Sequence, residues 1–346
     1  MNKNVLEISV RSDLGGGPKH LLDLLVNNNS EHRLFSAVPT GFDYSERIKQ
    51  ASVDSIHIPH RKFSIITFIK IILFCKKNNI KTVHSHGRGA GYYSRPMKLL
   101  GFKTIHTLHG VHIEKTILNK IKVKIDQLLT PLTDIFICVS DGEKKCAIDN
   151  KVALSSKIKV IYNGVEVQNQ KICNVPYPKI AMLGRLSFQK GYDNLIAKVE
   201  GFCTQYPRSK FIIQIAGEGE TKEELFKLLS CTQFAKEKIV FIGKTNDPVS
   251  FLKHHSHFLS FARFEGMPLS VLEAMSLGLP CMVSNVVGNF DIINITNGIL
   301  FDQENFDEKF LFFLNNDHST LVQSALLDID KKFNVKIQMS KTLQIY

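Results

Sequence analysis

The chain has 346 residues, 44% of them hydrophobic, and carries a formal net charge of +12 at pH 7. This length and apolar content suffice for a large buried core and for two domains of about 150 to 170 residues each. Seven scattered cysteines, odd in number and without metal-ligand spacing, exclude a disulfide framework and a cysteine zinc site. They indicate reduced thiols in a reducing compartment.

The N-terminal segment gives no sign of secretion. Residues 1–17 pass directly from a short apolar run to glycines, so no signal peptide is expected. The longest apolar run, 65–75, is interrupted by Lys70 and is shorter than the ~20 residues that span a bilayer. We therefore expect a cytoplasmic protein that is soluble or peripherally bound to a membrane.

The positive charge is confined to the first half of the chain. Residues 1–160 contain 25 Lys and Arg against 13 Asp and Glu, whereas residues 161–346 contain 19 of each. A basic half beside a neutral half predicts contact with an anionic membrane surface. The segment 60–77, which mixes cations with bulky apolar residues, fits an interfacial helix or an ordinary core-packed helix equally well. Nucleic acid is the weaker alternative, because no recognition motif for it is present.

Apolar runs alternate with helical patterns along the first half of the chain. The predicted elements are, in chain order, a strand at 5–10, a helix from about 19, a strand at 82–85, a helix at 89–100, strands at 103–108 and 135–139, a helix at 141–148 and a strand at 159–162. This βαβ alternation is typical of a mainly parallel sheet. The polar segment 166–178 interrupts it, and we place the interdomain linker there.

The alternation resumes after the linker. The predicted elements are a strand at 179–183, a helix from 192, a strand at 210–216, a helix at 221–229, a strand at 239–242, a short helix from 248, a strand at 257–262, a helix at 268–277 and a strand at 280–284. Two doubly wound α/β domains follow, and ligands of such sheets bind beyond the carboxyl ends of the strands, here in a cleft between the domains. The predicted boundaries are 1–170, 171–328 and 329–346.

Loops that follow strands carry the candidate binding residues. Gly15, Gly16 and Gly17 after the first strand would let the backbone approach a ligand closely, although a glycine run alone also suits a tight turn. Arg185 and Lys190, five residues apart in a loop flanked by glycines, could neutralise a diphosphate or be two surface cations. The loops 216–220, which contains Gly217, and 242–245 leave open backbone suited to a base or ribose.

The segment 264–275 places two carboxylates around the start of a helix. Glu265 precedes the helix, Pro268 suits its first position, and Glu273 lies inside it. The N-terminus of a helix attracts phosphate, since its dipole amounts to about +0.5 charge there. One Glu could then accept hydrogen bonds from sugar hydroxyls and the other from a ribose. Two Glu on one helical segment could also be a solvated face.

Five histidines cluster in the predicted first domain, at positions 84, 86, 106, 109 and 112. His109, which closes a strand before Gly110, could point into the cleft and bind a sugar hydroxyl or the acceptor. A zinc site at residues 106, 109 and 112 is disfavoured because these residues would not share one face, so no metal site is expected. Ser140 is expected to cap the following helix.

Together these motifs resemble the GT-B glycosyltransferases, specifically the retaining glycosyltransferase family 4. The matching motifs are, in chain order, Gly15-Gly16-Gly17, His109-Gly110, Val139-Ser140, Tyr162-Asn163-Gly164-Val165, Gly184-Arg185 with Lys190-Gly191, Gly217-Glu218-Gly219, and Glu265 with Glu273. The resemblance implies two Rossmann-like domains facing a cleft. It also implies a closing helix over 333–346 that crosses back to the first domain, so that the chain is expected to be complete.

The resemblance also implies roles for individual residues. Arg185 and Lys190 would hold the diphosphate of a nucleotide sugar, Glu273 the ribose, and Glu265 the donor sugar. The backbone after Glu265 would assist in binding the donor, through Gly266, Met267, Pro268 and Leu269. His109 would lie near the reacting centre, and the loop with Gly16 and Gly17 near the phosphates and the acceptor.

The predicted activity is therefore that of a retaining hexosyltransferase. It would move a sugar from a nucleotide donor, expected to be a UDP-sugar, to a glycan acceptor, expected to be lipid-linked, in surface polysaccharide or lipopolysaccharide assembly. No metal or other cofactor is expected, because protein cations and helix ends take the place of a metal. A nucleotide-sugar epimerase of the same fold and a basic nucleic-acid-binding protein are the alternatives.

Overall fold

The computed structural model describes residues 3–110, 117–168 and 175–346. The chain forms two compact units: unit 1 comprises residues 1–163 and 335–346, and unit 2 comprises residues 164–334. The boundaries thus lie at 163/164 and 334/335, whereas the sequence predicted 170/171 and 328/329. Residues 169–174 of the predicted linker lie outside the described residues.

Unit 1 is built on a seven-stranded parallel sheet. Its strands are β1 (Asn4–Ile8), β2 (Arg33–Val38), β3 (Ser55–His57), β4 (Thr82–His86), β5 (Lys103–Thr107), β6 (Ile135–Cys138) and β7 (Ile158–Val160). Their spatial order is β3-β2-β1-β4-β5-β6-β7. The sequence-based prediction missed β2 and β3. Strands β2 and β6 are largely apolar, as is expected of parallel strands covered on both faces, whereas β4 and β5 also bury polar residues.

Helices connect these strands. They are α1 (Gly16–Val26), α2 (Ser45–Ala51), α3 (Ile65–Lys77), α4 (Arg88–Ser94), α5 (Ile117–Leu129) and α6 (Asp141–Asp149). Helix α4 passes into a 3-10 helix at Arg95–Leu100, where a single helix was predicted over 89–100. Ser140 caps α6 as predicted, since its hydroxyl oxygen accepts a hydrogen bond from the backbone N–H of Glu143 at 3.0 Å.

Unit 2 contains a six-stranded parallel sheet. Its strands are β8 (Lys179–Leu183), β9 (Ile212–Ala216), β10 (Ile239–Gly243), β11 (His257–Ser260), β12 (Cys281–Ser284) and β13 (Ile299–Phe301). The spatial order β10-β9-β8-β11-β12-β13 is the 3-2-1-4-5-6 order of dinucleotide-binding folds. The strand order reverses between β8 and β11, so the loops after these two strands flank the position where such sheets bind ligands.

The helices of unit 2 cover both faces of this sheet. They are α7 (Tyr192–Gln205), α8 (Lys222–Ser230), α9 (Ala235–Lys238), α10 (Pro248–Leu252), α11 (Leu269–Ser276), α12 (Phe306–Asn315) and α13 (Ser319–Lys331). Helix α11 begins one residue later than predicted. Pro268 is its N-cap residue, with an extended ψ of 118°, rather than its first helical residue.

The last helix, α14 (Val335–Leu343), belongs to unit 1. Its apolar residues Val335, Met339 and Leu343 are buried with leucines of α1 in one hydrophobic cluster. The i, i+4, i+8 spacing of these three residues places them on one face, which is why this segment folds as a helix against the sheet. Among the described residues, none of the helices combines the length and apolarity needed to cross a bilayer.

Helix α3 divides its apolar residues between two faces. Ile71 and Cys75 are fully buried, whereas Ile66, Ile69 and Leu73 are 65%, 52% and 59% exposed. One face of α3 therefore packs on the core and the other presents apolar side chains at the surface, and the interfacial interpretation of the segment 60–77 stays a prediction.

Candidate functional site

The strand order of unit 2 brings together two loops that are distant in sequence. The loop after β8 carries Lys190, and the loop after β11 carries Glu265. Nζ of Lys190 lies 2.6 Å from Oε1 of Glu265, and both side chains are largely buried. The side-chain amide of Gln189 donates to the carbonyl oxygen of Phe264 at 3.0 Å and to Oε2 of Glu265 at 3.3 Å. Both carboxylate oxygens of Glu265 therefore have partners from the β8 loop.

Glycines allow the loops of unit 2 to pack this closely. Gly191 adopts a left-handed φ of 66°, and a Cβ atom there would meet the carbonyl oxygen of Phe261 at 2.1 Å. A Cβ atom on Gly217 would meet the carbonyl oxygen of Gly184 at 1.9 Å. Gly217 thus packs directly on the first residue of the loop that carries Arg185 and Lys190. Its backbone helps to set the position of that loop.

The start of α11 offers backbone donors beside Glu265. The first N–H groups of any helix lack acceptors within the helix, and Pro268 as N-cap residue supplies no side-chain acceptor. Gly266, Met267, Pro268 and Leu269 are buried, so the segment between Glu265 and the helix is firmly packed. A Cβ atom on Gly288 would meet the carbonyl oxygen of Gly266 at 2.6 Å, which shows a second loop pressed against this segment.

The two other residues predicted for the donor side lie on the same elements. Arg185 is half-buried in the loop that carries Lys190, and Glu273 is half-buried in the middle of α11. Both engage in polar interactions. Unit 2 thus places the predicted binding residues on two loops and one helix at the point where the strand order reverses.

Sequence reasoning missed Arg263, which fixes the β8 loop to the β11 loop. Its guanidinium makes a bidentate pair with Asp193, at 2.8 and 2.6 Å, and donates to the carbonyl oxygen of Phe188 at 2.7 Å. The same guanidinium lies 4.1 Å from the centre of the Phe188 ring. The planar fork of an arginine makes these contacts simultaneously, and a lysine could not. An Arg directly after a buried strand was the signal in the sequence.

In unit 1, His109 lies in a strained turn after β5. Its φ is 55°, in the left-handed region that non-glycine residues rarely adopt, and Gly110 follows with a φ of 104°. The backbone N–H of Gly110 donates to Oε1 of Glu143, and that of Val139 donates to Oε2 at 2.7 Å. The buried carboxylate of Glu143 therefore holds the turn in place and links it to the start of α6.

A chain of hydrogen bonds runs from a buried carboxylate to His109. Nε2 of His86 lies 2.7 Å from Oε2 of Glu7, and Nδ1 of His86 lies 3.2 Å from Nε2 of His109. An ionised Glu7 can only accept, so His86 donates from Nε2 and accepts at Nδ1 the Nε2–H of His109. Glu7 thereby fixes the orientation and tautomer of both rings.

The charge state of Glu7 follows from its neighbours. Burial alone would raise its pKa, but charge interaction with and hydrogen bonds from His84 and His86 outweigh burial and hold the pKa well below the usual range. The hydroxyl of Tyr346 also donates to Oε1 of Glu7 at 2.6 Å. Glu7 is therefore ionised although fully buried, because hydrogen bonds replace its lost hydration.

The histidines around His109 are neutral near pH 7. Burial, and then the repulsion that a protonated His86 would exert, lower the pKa of His20 to about 3. Burial and then His84 lower the pKa of His86 to about 4. Burial, and then His20 and His86, lower the pKa of His109 well below its usual range. These rings therefore interact through lone pairs and N–H groups rather than as cations.

The glycine loop of unit 1 lies beside this cluster. Gly16 and Gly17 form the first turn of α1, and a Cβ atom on Gly17 would lie 3.8 Å from Cδ2 of His109. His20, one turn further along α1, has its ring centre 4.7 Å from that of His109. The structure thus brings the predicted residues Gly17 and His109 together.

The zinc alternative at residues 106, 109 and 112 involves one residue that the structure does not describe. Nδ1 of His106 lies 2.8 Å from the hydroxyl of Ser85, within the core. His112 lies outside the described residues. His109 instead faces His20 and His86 from other elements, and one ring nitrogen from each of the three lies within 4.8 Å of the others.

Comparison with known proteins agrees with this geometry. The family model of glycosyl transferases group 1 matches residues 166–322, and that of Glycosyltransferase Family 4 matches residues 19–169. The O-antigen biosynthesis glycosyltransferase WbnH of Escherichia coli is 31% identical over 307 residues, which cover 86% of each chain. The UDP-Gal:alpha-D-GlcNAc-diphosphoundecaprenol alpha-1,3-galactosyltransferase of Escherichia coli is 30% identical over 265 residues, covering 70% of this chain and 67% of the relative.

A solved structure extends the likeness to the whole fold. HepE of Anabaena in complex with UDP-glucose is 16% identical, with a TM-score of 0.83 over 99% of this chain and 100% of HepE. This chain has the GT-B fold, with two parallel-sheet α/β domains, as its sequence predicted. The two family models together span residues 19–322, and a relative 31% identical matches over most of its length. The chain belongs to the group 1, family 4 glycosyltransferases.

Proposed function

We propose that this glycosyltransferase moves a hexose from a UDP-sugar to a lipid-linked glycan, with retention of anomeric configuration, in the assembly of a surface polysaccharide. The pairing of Lys190 with Glu265 beside the start of α11 carries the proposal. It gathers a cation, a hydrogen-bond acceptor and helix N–H groups, which are the groups that a nucleotide sugar needs. The names of the two Escherichia coli relatives support the polysaccharide pathway, and one of them specifies UDP-Gal and a diphosphoundecaprenol acceptor.

The donor would reorganise the ion pair. A diphosphate beside the β8 loop competes with Glu265 for the ammonium group of Lys190, and Arg185 on the same loop adds a second cation. Released from Lys190, the carboxylate of Glu265 can accept hydrogen bonds from hydroxyls of the donor sugar. The backbone N–H groups of Gly266 and Met267 before α11, and of Leu269 at its first position, face the remaining negative charge. Glu273, further along α11, is proposed to accept from the ribose.

The transfer step follows from these contacts. The acceptor hydroxyl attacks the anomeric carbon from the face on which UDP departs, so one C–O bond forms as the bond to the phosphate oxygen breaks. UDP leaves with the bonding electron pair, and the hydroxyl proton passes to the departing phosphate oxygen. Lys190 and Arg185 stabilise the charge that develops on the diphosphate. These cations and the helix terminus supply the positive charge that a metal would otherwise provide, so we propose transfer without a metal.

His109 would face the sugar rather than the nucleotide. Its Nε2–H donates to His86, which leaves Nδ1 as a hydrogen-bond acceptor. It would therefore accept a hydrogen bond from a hydroxyl of the sugar or the acceptor. The glycine loop at Gly16 and Gly17, which lies beside this ring, is proposed to shape the acceptor side.

The decisive experiment measures donor binding and transfer separately. Isothermal titration with UDP, UDP-galactose, UDP-glucose and UDP-N-acetylglucosamine, with and without EDTA, should reveal one preferred donor whose affinity is unchanged by EDTA. Transfer to synthetic N-acetylglucosaminyl-diphosphoundecaprenol should then give an α-linked product, identified by its anomeric NMR coupling. Acceptor-free conversion of the donor would support the epimerase instead. Salt-dependent nucleic-acid binding without nucleotide-sugar affinity would support the nucleic-acid alternative.

We also propose that unit 1 lies against the anionic face of the inner membrane, in the cytoplasm. Two of its helices expose apolar side chains between lysines. Helix α3 exposes Ile66, Ile69 and Leu73 around Lys70, and α5 exposes apolar residues at i, i+4 spacing among Lys120, Lys122 and Lys124. This pairing of apolar and basic residues fits an interfacial helix, because apolar burial and attraction to anionic lipid add.

Liposome co-sedimentation tests this membrane face. The wild type should sediment with vesicles containing phosphatidylglycerol and not with pure phosphatidylcholine. An Ile66→Ser/Ile69→Ser variant should lose most of this binding. Ile295→Ser in unit 2, where the side chain is 92% exposed, is the matched control and should bind as the wild type does. Equal binding by both variants would remove α3 from the membrane face.

A further inference from the structure

Three histidines from three different elements converge in unit 1. His20 lies on α1, His86 ends β4, and His109 follows β5. One ring nitrogen from each lies within 4.8 Å of the other two. The ring centres of His20 and His86 are 5.4 Å apart, and those of His20 and His109 are 4.7 Å apart. Such a convergence of imidazoles, with two of the three buried, is the donor set of a three-histidine metal site.

The separation of the nitrogens suits a tetrahedral ion. Nδ1 of His86 and Nε2 of His109 are 3.2 Å apart. Two imidazole nitrogens bound to zinc at about 2.0 to 2.1 Å with tetrahedral angles lie roughly 3.3 Å from each other. A metal ion would take the place of the proton between these two nitrogens, and that proton would move to Nδ1 of His109. A ring nitrogen of His20 lies within 4.8 Å of both and would complete the set.

Hydrogen bonds to neighbouring side chains hold the rings of His86 and His20 in place. Oε2 of Glu7 accepts from Nε2 of His86 at 2.7 Å, which directs the Nδ1 lone pair of His86 toward His109. Nδ1 of His20 lies 3.0 Å from Oδ1 of Asn163 and 2.8 Å from Nε2 of Gln338. A carboxylate that orients a ligating histidine in this way is typical of protein metal sites.

A second group of possible ligands, Glu7 with His84 and His86, is a weaker candidate. Both nitrogens of His84 are already engaged, at 2.7 Å from the hydroxyl of Tyr346 and at 2.7 Å from that of Thr107. Glu7 accepts from Tyr346 as well as from His86. Metal binding there would disrupt the hydrogen bonds of both His84 and Glu7, including the 2.7 Å bond between Glu7 and His86, whereas the first site leaves that bond in place.

We propose that His20, His86 and His109 form a binding site for a divalent transition metal of the borderline class, with Zn²⁺ as the representative ion. Imidazole ligands suit Zn²⁺, Co²⁺, Ni²⁺ and Cu²⁺ rather than Mg²⁺ or Ca²⁺, which prefer oxygen. A water molecule would fill the fourth position. Since His109 is engaged by the metal, Zn²⁺ should inhibit sugar transfer; this consequence alone rests on the proposed function.

Binding is measured on the full-length, tag-free protein after treatment with EDTA and its removal. Titration with Zn²⁺ in competition with a chromogenic chelator should give one tight site per chain. Co²⁺ should give the intense visible absorption bands of a four-coordinate ion. His20→Asn and His109→Gln should each weaken Zn²⁺ binding at least tenfold and abolish the Co²⁺ bands. His254→Asn, at an exposed histidine of unit 2, is the matched control and should bind as the wild type does.

These experiments distinguish metal binding at the three histidines from the effect of the metal on sugar transfer. Circular dichroism establishes that each variant is folded. Because the two variants lie on different elements, zinc binding can still be interpreted from one of them if the other fails to fold. Tight binding that survives in both His20→Asn and His109→Gln, or the absence of a tight site in the wild type, would overturn the proposal. Inhibition of transfer by Zn²⁺ is measured separately. Its absence in a protein that binds the ion through these residues would count against the role of His109 in transfer and leave the site established.

Discussion

Nζ of Lys190 lies 2.6 Å from Oε1 of Glu265, although the two residues are 75 positions apart in the chain. The pair exists because β8 and β11 are neighbours in the sheet of unit 2, so that the loops following them meet. It joins the two motifs from which the donor site was predicted. Lys190 and Glu265 neutralise each other when no substrate is bound. When the donor binds, Lys190 can pair with the diphosphate and Glu265 can accept hydrogen bonds from the sugar.

Lys190→Ala should impair both donor binding and folding. We expect kcat/KM for transfer to fall about 10² to 10³-fold, because the charge on the leaving diphosphate loses a stabilising cation. The free energy of unfolding should fall by about 1 to 3 kcal/mol, since Glu265 is left buried without its partner. Steady-state kinetics and urea unfolding measure the two effects.

The exposed pair of Lys222 and Glu218 supplies the control for this change. Their charged atoms lie 2.9 Å apart, and both side chains are 42% exposed. Lys222→Ala should change the free energy of unfolding by less than about 1 kcal/mol, because exposed ion pairs contribute little. It should leave transfer unaffected. Equal transfer rates in the two variants would remove Lys190 from the donor site.

Arg263→Lys should loosen the β8 loop without touching donor residues. Lysine keeps the charge but cannot make the bidentate pair with Asp193 while also donating to the carbonyl oxygen of Phe188. We expect KM for the donor to rise several-fold and the free energy of unfolding to fall by about 1 kcal/mol. Arg208→Lys, at an exposed position, should behave as the wild type does. An unchanged KM in Arg263→Lys would show that this arginine does not position the loop.

Gly191→Ala should strongly destabilise unit 2. The added Cβ would lie 2.1 Å from the carbonyl oxygen of Phe261, and the φ of 66° is unfavourable for alanine. We expect a loss of at least about 2 kcal/mol in the free energy of unfolding. Gly201→Ala, in the middle of α7 with open space around it, should instead stabilise the protein by about 0.5 to 1 kcal/mol. Thermal unfolding of the two variants should therefore shift in opposite directions.

Tyr346→Phe should show that the hydroxyl of this residue stabilises unit 1. That hydroxyl donates to Oε1 of Glu7 at 2.6 Å, and burial and then the Glu7 charge raise the pKa of Tyr346 well above its usual range. Removing it takes one partner from a buried carboxylate, so we expect a loss of about 1 to 3 kcal/mol. Tyr177→Phe, at a residue that is 43% exposed, is the control and should be close to neutral. Urea unfolding distinguishes the two.

Much of the fold was predictable because parallel strands buried on both faces read as apolar runs. The apolar run at 179–183 corresponds closely to β8, whereas the strand predicted at 82–85 lies within β4 although it contains Thr82, His84 and Ser85. Strands β2 and β3 were missed because Ser36 interrupts the apolar run of β2 and because β3 has only three residues, two of them polar. Short strands of this kind are defined by their neighbours in the sheet more than by their own sequence.

The sequence predicts which loops carry the donor-binding residues, but it does not predict which residues of these loops are in contact. Their motifs follow strands, yet the sequence does not say that β8 and β11 are neighbours, so the ion pair of Lys190 and Glu265 could not be derived. The histidine cluster was missed for a related reason. Metal-ligand spacing was sought within one segment, whereas His20, His86 and His109 come from three elements. Glu7 inside an apolar strand was the available signal, since a buried carboxylate requires partners.

Acid should destabilise unit 2 through His255. This residue is 1% exposed, with Nδ1 2.8 Å from the carbonyl oxygen of Phe251 and Nε2 3.0 Å from Oε1 of Gln214. Burial lowers its pKa to about 4, against about 6.5 in an unfolded chain. Between these values the unfolded state binds a proton that the folded state does not. Stability is therefore lost as the pH falls from 6.5 to 4, by up to about 3 kcal/mol.

The contribution of His255 is isolated by comparing pH profiles rather than single values. Urea unfolding between pH 4.5 and 7.5 should give a shallower loss of stability toward acid for His255→Gln than for the wild type, because the variant lacks the titrating ring. His254→Gln, at the exposed neighbouring residue, should keep the wild-type slope. Other buried histidines, such as His257 with its pKa lowered to about 4 by burial and then by His318, contribute equally to all three proteins. If the profiles of His255→Gln and the wild type run parallel, the buried ring of His255 is not a source of the acid sensitivity.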